Sequence, residues 1–191
     1  MYKVIALMGM AGSGKDTILN MLVSTGAYNP VISYTTRPIR ENEQEGKDYY
    51  FIEPEHFLDK VYNGDMLEHT NFNGWYYGTA KDALKEDKIN IGVFNPAGIL
   101  SLFKNKDIDL TVYEIITSDK ERMLRQLERE ENPDVEEIVR RFDADKEDFA
   151  RFHLNMVKLG KEGQEMNFSV IINEVPGDQF DAVARILDKT C

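Results

Sequence analysis

The chain has 191 residues, of which 42% are hydrophobic, so it is long enough to bury a core, and we expect one domain over residues 1–191. Its net charge of −11 opposes adhesion to nucleic acid or to an acidic membrane, and we expect neither as a partner. A single cysteine, Cys191, excludes a disulfide framework and a zinc cluster and is typical of a cytoplasmic protein.

The first predicted elements are a strand, a glycine-rich turn and a helix. An apolar run at residues 4–8 precedes Gly9-Met10-Ala11-Gly12-Ser13-Gly14-Lys15-Asp16-Thr17, and a helical pattern follows. In a phosphate-binding loop, glycines let backbone N–H groups point at phosphate oxygens, while the helix N-terminus and a lysine add positive charge. The pattern predicts binding of a nucleoside triphosphate. The residue after Lys15 is usually Ser or Thr, which reaches magnesium, but here it is Asp16, and the hydroxyl is displaced to Thr17.

Short apolar runs then alternate with helical patterns. The first helix is expected to end near Gly26, and further helices begin at Pro54, at the capping box of residues 118–121, after Asp134 and at about residue 178. Strands are predicted at residues 31–35, 48–52, 89–94, 110–116 and 168–172. This alternation predicts an α/β fold with a parallel sheet covered by helices.

Residues 66–79 predict a β-hairpin, because Asn73-Gly74 separates two strand-like runs. A two-residue turn pairs Phe72 with Trp75, Thr70 with Tyr77 and Glu68 with Thr79. The Glu68 carboxylate then lies across from the Thr79 hydroxyl, beside the Tyr77 ring. Guanine suits this trio, because its N1–H and amino group donate to a carboxylate while its O6 accepts from a hydroxyl. An ordinary hairpin with a Glu–Thr pair is the alternative for this segment alone.

The longest run of informative residues lies in the middle third of the sequence. It comprises Ser33-Tyr34-Thr35-Thr36-Arg37-Pro38-Ile39-Arg40, Glu43, Gly46, Asp48-Tyr49-Tyr50-Phe51, Glu68 and Tyr76-Tyr77-Gly78-Thr79. With the phosphate loop before it, this run resembles the guanylate kinase family. The resemblance implies a P-loop NTPase-type parallel sheet flanked by helices, with a small mixed β nucleotide-binding subdomain and a helical lid. The implied division is a core at about 1–32, 80–124 and 165–191, a GMP-binding part at about 33–79 and a lid at about 125–150.

The resemblance also implies an activity and its residues: ATP-dependent phosphorylation of GMP or dGMP, with Mg²⁺, by a monomer or a homodimer. The acceptor would contact Ser33, Arg37, Arg40, Tyr49, Glu68, Tyr77, Thr79 and Asn95. The donor would contact Gly9, Ala11, Gly12, Ser13, Gly14, Lys15, Asp16, Thr17 and Asn173. The catalytic residues would be Lys15, Arg125, Arg129 and Arg141. Asp16 and Thr17 would face the magnesium ion, directly or through water.

The sequence departs from the family at the end of the strand predicted at residues 89–94. Guanylate kinases usually carry Asp-x-Asp there, whereas this chain has Val93-Phe94-Asn95. We interpret Asp16 as a compensating carboxylate and Asn95 as a neutral contact to the acceptor. Two alternatives follow: a sugar-phosphate kinase similar to ribose 1,5-bisphosphate phosphokinase, and a guanylate-kinase-like binding module without catalysis. The intact Gly9, Gly14 and Lys15 argue against the second.

Overall fold

The computed structural model describes residues 1–39, 43–72, 74–129 and 131–190. In chain order the elements are β1 (Tyr2–Met8), α1 (Lys15–Ser24), β2 (Tyr28–Pro30), β3 (Tyr34–Thr35), β4 (Tyr50–Phe51), α2 (Pro54–Tyr62), β5 (Met66–Phe72), β6 (Trp75–Ala80), β7 (Ile89–Val93), α3 (Pro96–Phe103), β8 (Ile108–Ile116), α4 (Asp119–Leu127), α5 (Val135–Lys161), β9 (Asn167–Ile172) and α6 (Asp178–Thr190). A short 3₁₀ helix at Lys81–Ala83 links β6 to β7.

The centre of the fold is a five-stranded sheet in the order β2-β7-β1-β8-β9, and each neighbouring pair is parallel. Alternate residues of β1 enter two separate cores: Val4 and Ala6 pack on one face, Ile5 and Leu7 on the other. Helices therefore cover both faces, as a parallel sheet requires. The carboxyl ends of β1, β7 and β8 meet at one edge, where ligands bind in open α/β sheets.

A second, mixed sheet has the order β4-β3-β6-β5. Its β5–β6 hairpin has the predicted pairing, with Glu68 opposite Thr79, Thr70 opposite Tyr77 and Phe72 opposite Trp75. The turn residue Asn73 lies outside the described residues. The predicted pairing of Glu68 with Thr79 across the two strands is therefore confirmed.

Of the strand predicted at residues 31–35, only Tyr34–Thr35 is confirmed, as β3. The chain instead forms β2 in the central sheet, leaves it after Pro30, and forms β3 in the second sheet. One stretch of chain thus contributes a strand to each sheet. Hydrophobic periodicity does not tell which sheet a strand joins. Helix α3 was not predicted, although Asn95 caps it and Pro96 occupies its first turn. The strand predicted at residues 48–52 is reduced to β4.

The helix starts after residue 117 follow the predicted caps. Ser118 accepts a hydrogen bond from the Glu121 N–H at the start of α4, and Asp134 accepts one from the Glu137 N–H at the start of α5. Helix α5 continues past the predicted lid, and it buries Phe149 and Phe152 in the central core. The lid limits at 125–150 therefore remain a prediction. In the described ranges no helix has the length and apolar character needed to cross a membrane.

Candidate functional site

The phosphate loop joins β1 to α1 at the carboxyl edge of the central sheet. Gly12 and Gly14 have φ values of 80° and 86°, in the left-handed region that favours glycine. A Cβ at Gly12 would lie 2.5 Å from the Arg122 carbonyl oxygen, and one at Gly9 would lie 2.7 Å from that of Ile115. The loop is thus pressed against α4 and the end of β8, so side chains at these glycines would push it out of place.

Two side chains from later in the chain support the loop from below. Asn173, just after β9, donates from its amide to the Ser13 carbonyl oxygen at 2.7 Å. Thr117 donates to the same oxygen at 3.2 Å and to the Asn173 carbonyl oxygen at 2.8 Å. The resemblance implied that Asn173 contacts the donor nucleotide. In the structure its amide also holds the phosphate loop through the Ser13 carbonyl oxygen. A cleft of about 250 Å³ opens beside it, lined by Gly14, Thr17, Glu121, Arg125, Asn173, Val175, Pro176 and Gln179.

Lys15, Asp16 and Thr17 form the first turn of α1. Lys15 Nζ lies 3.6 Å from Asp16 Oδ2, and the Asp16 side chain is 73% exposed. Among the described residues no cluster of three or more His, Cys, Asp or Glu side chains could hold a metal ion by itself. Mg²⁺ usually keeps several waters and is bound through substrate phosphates with one or two carboxylates, so a lone Asp16 beside the loop fits such an ion.

The three arginines predicted to be catalytic lie in different surroundings. Arg125 donates to the carbonyl oxygens of Asn173 at 3.2 Å and Glu174 at 3.1 Å, which places its guanidinium beside the loop. Arg129 is exposed beyond the end of α4. Arg141 donates to Glu137 Oε1 at 2.7 Å, one turn earlier on α5. In this conformation, therefore, only Arg125 is at the loop.

Arg122 is a buried residue that the sequence did not distinguish from its neighbours. Its side chain is 1% exposed, donates to Asp119 Oδ1 at 2.8 Å and to the Ala11 carbonyl oxygen at 3.2 Å, and lies 4.3 Å from the Phe142 ring centre. Arg122, Arg125 and Arg129 are spaced i, i+3 and i+7, so helical periodicity alone puts them on one face. Burial of the first depends on Phe142 of α5, which no local pattern connects to it.

A second residue missed by the sequence is Asp145 of α5. The Ala11 N–H donates to Asp145 Oδ2 at 2.5 Å, so a carboxylate is bound to the backbone of the phosphate loop. The adjacent Lys146 pairs instead with Asp119 Oδ2 at 2.7 Å. An acid within a charged helix carries no signal for such a contact.

The residues predicted to read guanine lie together at a buried site. Glu68 is 8% exposed and Thr79 is fully buried, and the Thr79 hydroxyl lies 2.9 Å from that of Ser33. A Cβ at Gly98 would lie 3.0 Å from Glu68 Oε2, so the first turn of α3 packs on the carboxylate. Burial raises the pKa of Glu68 to about 7, although hydrogen bonds from Thr79 lower it in part.

The residues predicted to hold the acceptor phosphate lie between this pocket and the loop. Arg37 makes a two-pronged ion pair with Glu43, at 2.9 and 2.7 Å, and lies 5.7 Å from the Tyr49 ring centre. The rings of Tyr49 and Tyr77 contact each other edge to face at 6.0 Å. Burial, and then the charge of Asp16, raise the pKa of Tyr49 to about 12, so the phosphate loop adjoins this group. Arg40 lies outside the described residues.

Asn95 lies where the family usually carries an acid. Its Oδ1 accepts from the Gly98 N–H at 2.7 Å and caps α3, while the residue itself is exposed. It also lines a cleft of about 360 Å³ between β5, α3 and α5. The sequence interpreted Asn95 only as an acceptor contact, and its capping role was missed although Asn-Pro is a typical helix start.

The chain matches the family model described as guanylate kinase over residues 1–190. The chain belongs to the guanylate kinase family of enzymes. A guanylate kinase from Fusobacterium nucleatum is 35% identical over 136 residues, which cover 69% of this chain and 72% of that one. One from Sus scrofa is 31% identical over 151 residues, 75% of each chain. The solved structure of guanylate kinase from Anaplasma phagocytophilum matches with a TM-score of 0.67 at 20% identity, over 99% of this chain and 86% of that one, and shares the fold.

Proposed function

We propose that this member of the guanylate kinase family transfers the γ-phosphoryl group of ATP to GMP or dGMP and releases two nucleoside diphosphates in the cytoplasm. The observation that carries the proposal is the buried Glu68–Thr79 pair, with Ser33 beside it. A buried carboxylate with hydroxyls beside it complements the two donors and the acceptor on the edge of guanine. Adenine would set its unprotonated N1 against the Glu68 carboxylate, and a sugar phosphate would leave the buried carboxylate without a partner.

The acceptor phosphate would bind beside Arg37, Tyr49 and Tyr77. Arg37 is held by Glu43 before substrate arrives, and its guanidinium also donates to the Tyr77 hydroxyl oxygen. This arrangement preorganises the positive charge, so little side-chain entropy remains to be lost on binding. Tyr49 lies between Arg37 and Asp16, which puts the acceptor phosphate next to the donor loop.

Phosphoryl transfer between two nucleotides needs alignment and charge neutralisation rather than a protein nucleophile. The loop amides and Lys15 would hold the donor phosphates, and Arg125 would reach them from α4. Arg129 and Arg141 would join them after the lid closes, because one is exposed and the other is paired with Glu137 in the present conformation. Closure also excludes water and so protects ATP from hydrolysis.

Asp16 and Thr17 would hold Mg²⁺, directly or through its waters. The ion, bound to the donor, neutralises charge that develops on the transferred phosphoryl group. Asp16 is 73% exposed at the start of α1 and lies 3.6 Å from Lys15 Nζ, so its carboxylate is open to a water-bound cation. Thr17 supplies the hydroxyl that the family carries one position earlier.

A coupled assay of diphosphate release from ATP, with a panel of acceptors, tests the proposal. We expect GMP and dGMP to be turned over, with AMP, CMP and UMP poorer by about 10⁴-fold in kcat/KM, because a site built to pair buried polar groups rejects a mismatched partner. Equal turnover of AMP and GMP would contradict the base assignment. Faster turnover of ribose 1,5-bisphosphate than of GMP would favour the sugar-phosphate kinase, and no turnover of any acceptor would favour the binding module.

A further inference from the structure

The phosphate loop already binds an anion that belongs to the protein. The Ala11 N–H donates to Asp145 Oδ2 at 2.5 Å. The Ala11 carbonyl oxygen is also engaged, by Arg122 at 3.2 Å. Both backbone groups of this residue are therefore bound by side chains of α4 and α5, and the N–H is not available to a phosphate oxygen.

The neighbouring cations of α5 are paired with other acids: Lys146 with Asp119, and Arg141 with Glu137 at 2.7 Å. Lys146 pairs with Asp119 at 2.7 Å, and Asp119 also holds Arg122 at 2.8 Å. Loop amides and a helix N-terminus attract any anion, whether carboxylate or phosphate. A triphosphate brought to the loop must therefore displace Asp145 or be repelled by it.

We propose that Asp145 is an internal competitor for the donor triphosphate, which occupies an amide of the empty phosphate loop and must leave before the phosphates can bind. The proposal rests on the donor site of the proposed function and adds a regulatory contact to it. It also explains the position of Arg141, which lies four residues before Asp145 and so on the same face of α5. Release of Asp145 frees that face, so that Arg141 can exchange its Glu137 partner for the donor phosphates.

Binding of inorganic tripolyphosphate tests the competition directly, because this probe contacts the loop without involving acceptor or base. Titration calorimetry would compare the wild-type chain, Asp145→Asn, and Asp143→Asn as a control with the same change of charge at an exposed position of α5. We expect Asp145→Asn to bind tripolyphosphate about 10- to 100-fold more tightly than wild type, the range for loss of a competing charged hydrogen bond. The control should stay within about twofold, because exposed charges are screened.

Thermal unfolding supplies a second measurement for each variant that folds. Without ligand, Asp145→Asn and Asp145→Ala should melt below wild type, because the charged contact to Ala11 is weakened or lost. In saturating tripolyphosphate the difference should disappear, because the contact no longer exists in the complex.

Three results would overturn the inference. Equal gains in affinity for Asp145→Asn and Asp143→Asn would show an effect of net charge alone. Weaker binding by Asp145→Asn, seen only when Mg²⁺ is present, would make Asp145 an aid to the metal rather than a competitor. Failure of every form of the chain to bind tripolyphosphate or ATP would remove the donor site and with it the proposed function. Inactivity towards GMP, combined with the expected gain in affinity, would contradict the proposed acceptor and support the competitor.

Discussion

Glu68 carries a buried carboxylate whose charge changes near neutral pH. Its pKa of about 7 arises because burial disfavours the charged form more than the Thr79 hydrogen bonds favour it. Guanine recognition needs the ionised form, since N1–H and the amino group both donate. The same burial that favours pairing with guanine therefore makes the charge of Glu68 sensitive to pH.

We expect the dissociation constant of GMP to rise as pH falls below 7, by about tenfold per pH unit once Glu68 is mostly protonated. Calorimetric titration between pH 5 and pH 8 would measure it. Glu68→Gln is the matched control, because it is neutral at every pH and retains only the slope caused by ionisation of the GMP phosphate. Parallel profiles for the two proteins would contradict the prediction.

The raised pKa of Glu68 also predicts how stability depends on pH. Below pH 4.5 the group is protonated in both folded and unfolded chains, so folding carries no cost of charge burial. Between pH 4.5 and 7 the unfolded chain ionises first, and above pH 7 the full cost is present, about 2–4 kcal/mol. Glu68→Gln should therefore gain stability relative to wild type by that amount from pH 4 to pH 8 in urea unfolding. A constant difference would show that the pKa is not raised.

The interpretation of Asp16 predicts a change in metal dependence. Asp16→Ser should raise the Mg²⁺ concentration needed for half-maximal turnover by about tenfold, the lower range for loss of an outer-sphere partner. The further pair Val93→Asp and Asn95→Asp should partly restore it, and Asp at residue 95 can still cap α3. An unchanged magnesium curve in Asp16→Ser would leave only a favourable charge at the helix start, worth about 0.3–1 kcal/mol.

The elements differ in how far the sequence predicted them. The β5–β6 hairpin followed from Asn73-Gly74 and a period of two, because its pairing is decided locally. The split of one apolar run into β2 and β3 did not follow, because it depends on which sheet each half joins. The site divides in the same way: Glu68 and Thr79 were predicted, whereas Arg122 and Asp145 act through contacts more than 110 residues away in sequence.

Arg122 joins α4 to the phosphate loop and to α5. Its replacement should therefore lower the free energy of unfolding. Arg122→Met keeps the apolar stem over Phe142 but removes the charged donor to the Ala11 carbonyl oxygen and one of the two cations that pair with Asp119, the other being Lys146. We expect a loss of about 2–3 kcal/mol in urea unfolding. Arg151→Met is the control, because Arg151 and Glu147 are both exposed and such a pair contributes at most about 0.5 kcal/mol. Equal losses would contradict the structural role of Arg122.

Gly12 of the phosphate loop and Gly26, just after α1, form a matched pair of glycines. Gly12 and Gly26 have similar φ values of 80° and 76°, but an added Cβ meets Arg122 at Gly12 and open space at Gly26. Gly26→Ala should cost about 1 kcal/mol in stability through the backbone alone and leave ATP binding unchanged. Gly12→Ala should cost more and weaken ATP binding at least about tenfold, as measured by calorimetry. Similar behaviour of the two variants would mean that the close approach to α4 is unimportant.

The two sheets of the molecule differ in burial and in strand length. Strands β1, β7 and β8 are buried on both faces, whereas β3 and β4 have two residues each. Because few buried contacts hold it, we expect the second sheet to open with a lower free energy than the central sheet. Hydrogen exchange measured by mass spectrometry should show this order, and GMP alone should protect the second sheet more than the first. Uniform protection would contradict it.

The hydrogen bond between Asn173 and Ser13 joins positions 160 residues apart and has a consequence for how the protein is made. On the ribosome the glycine loop is synthesised well before Arg122 and Asn173, the residues that hold it. The neighbours of β1 in the sheet, β7 and β8, also come late. A nascent chain therefore carries a loop without its supports and cannot capture ATP until β9 has docked. We therefore expect nucleotide binding to begin only after β9 has paired with β8 and brought Asn173 to the loop.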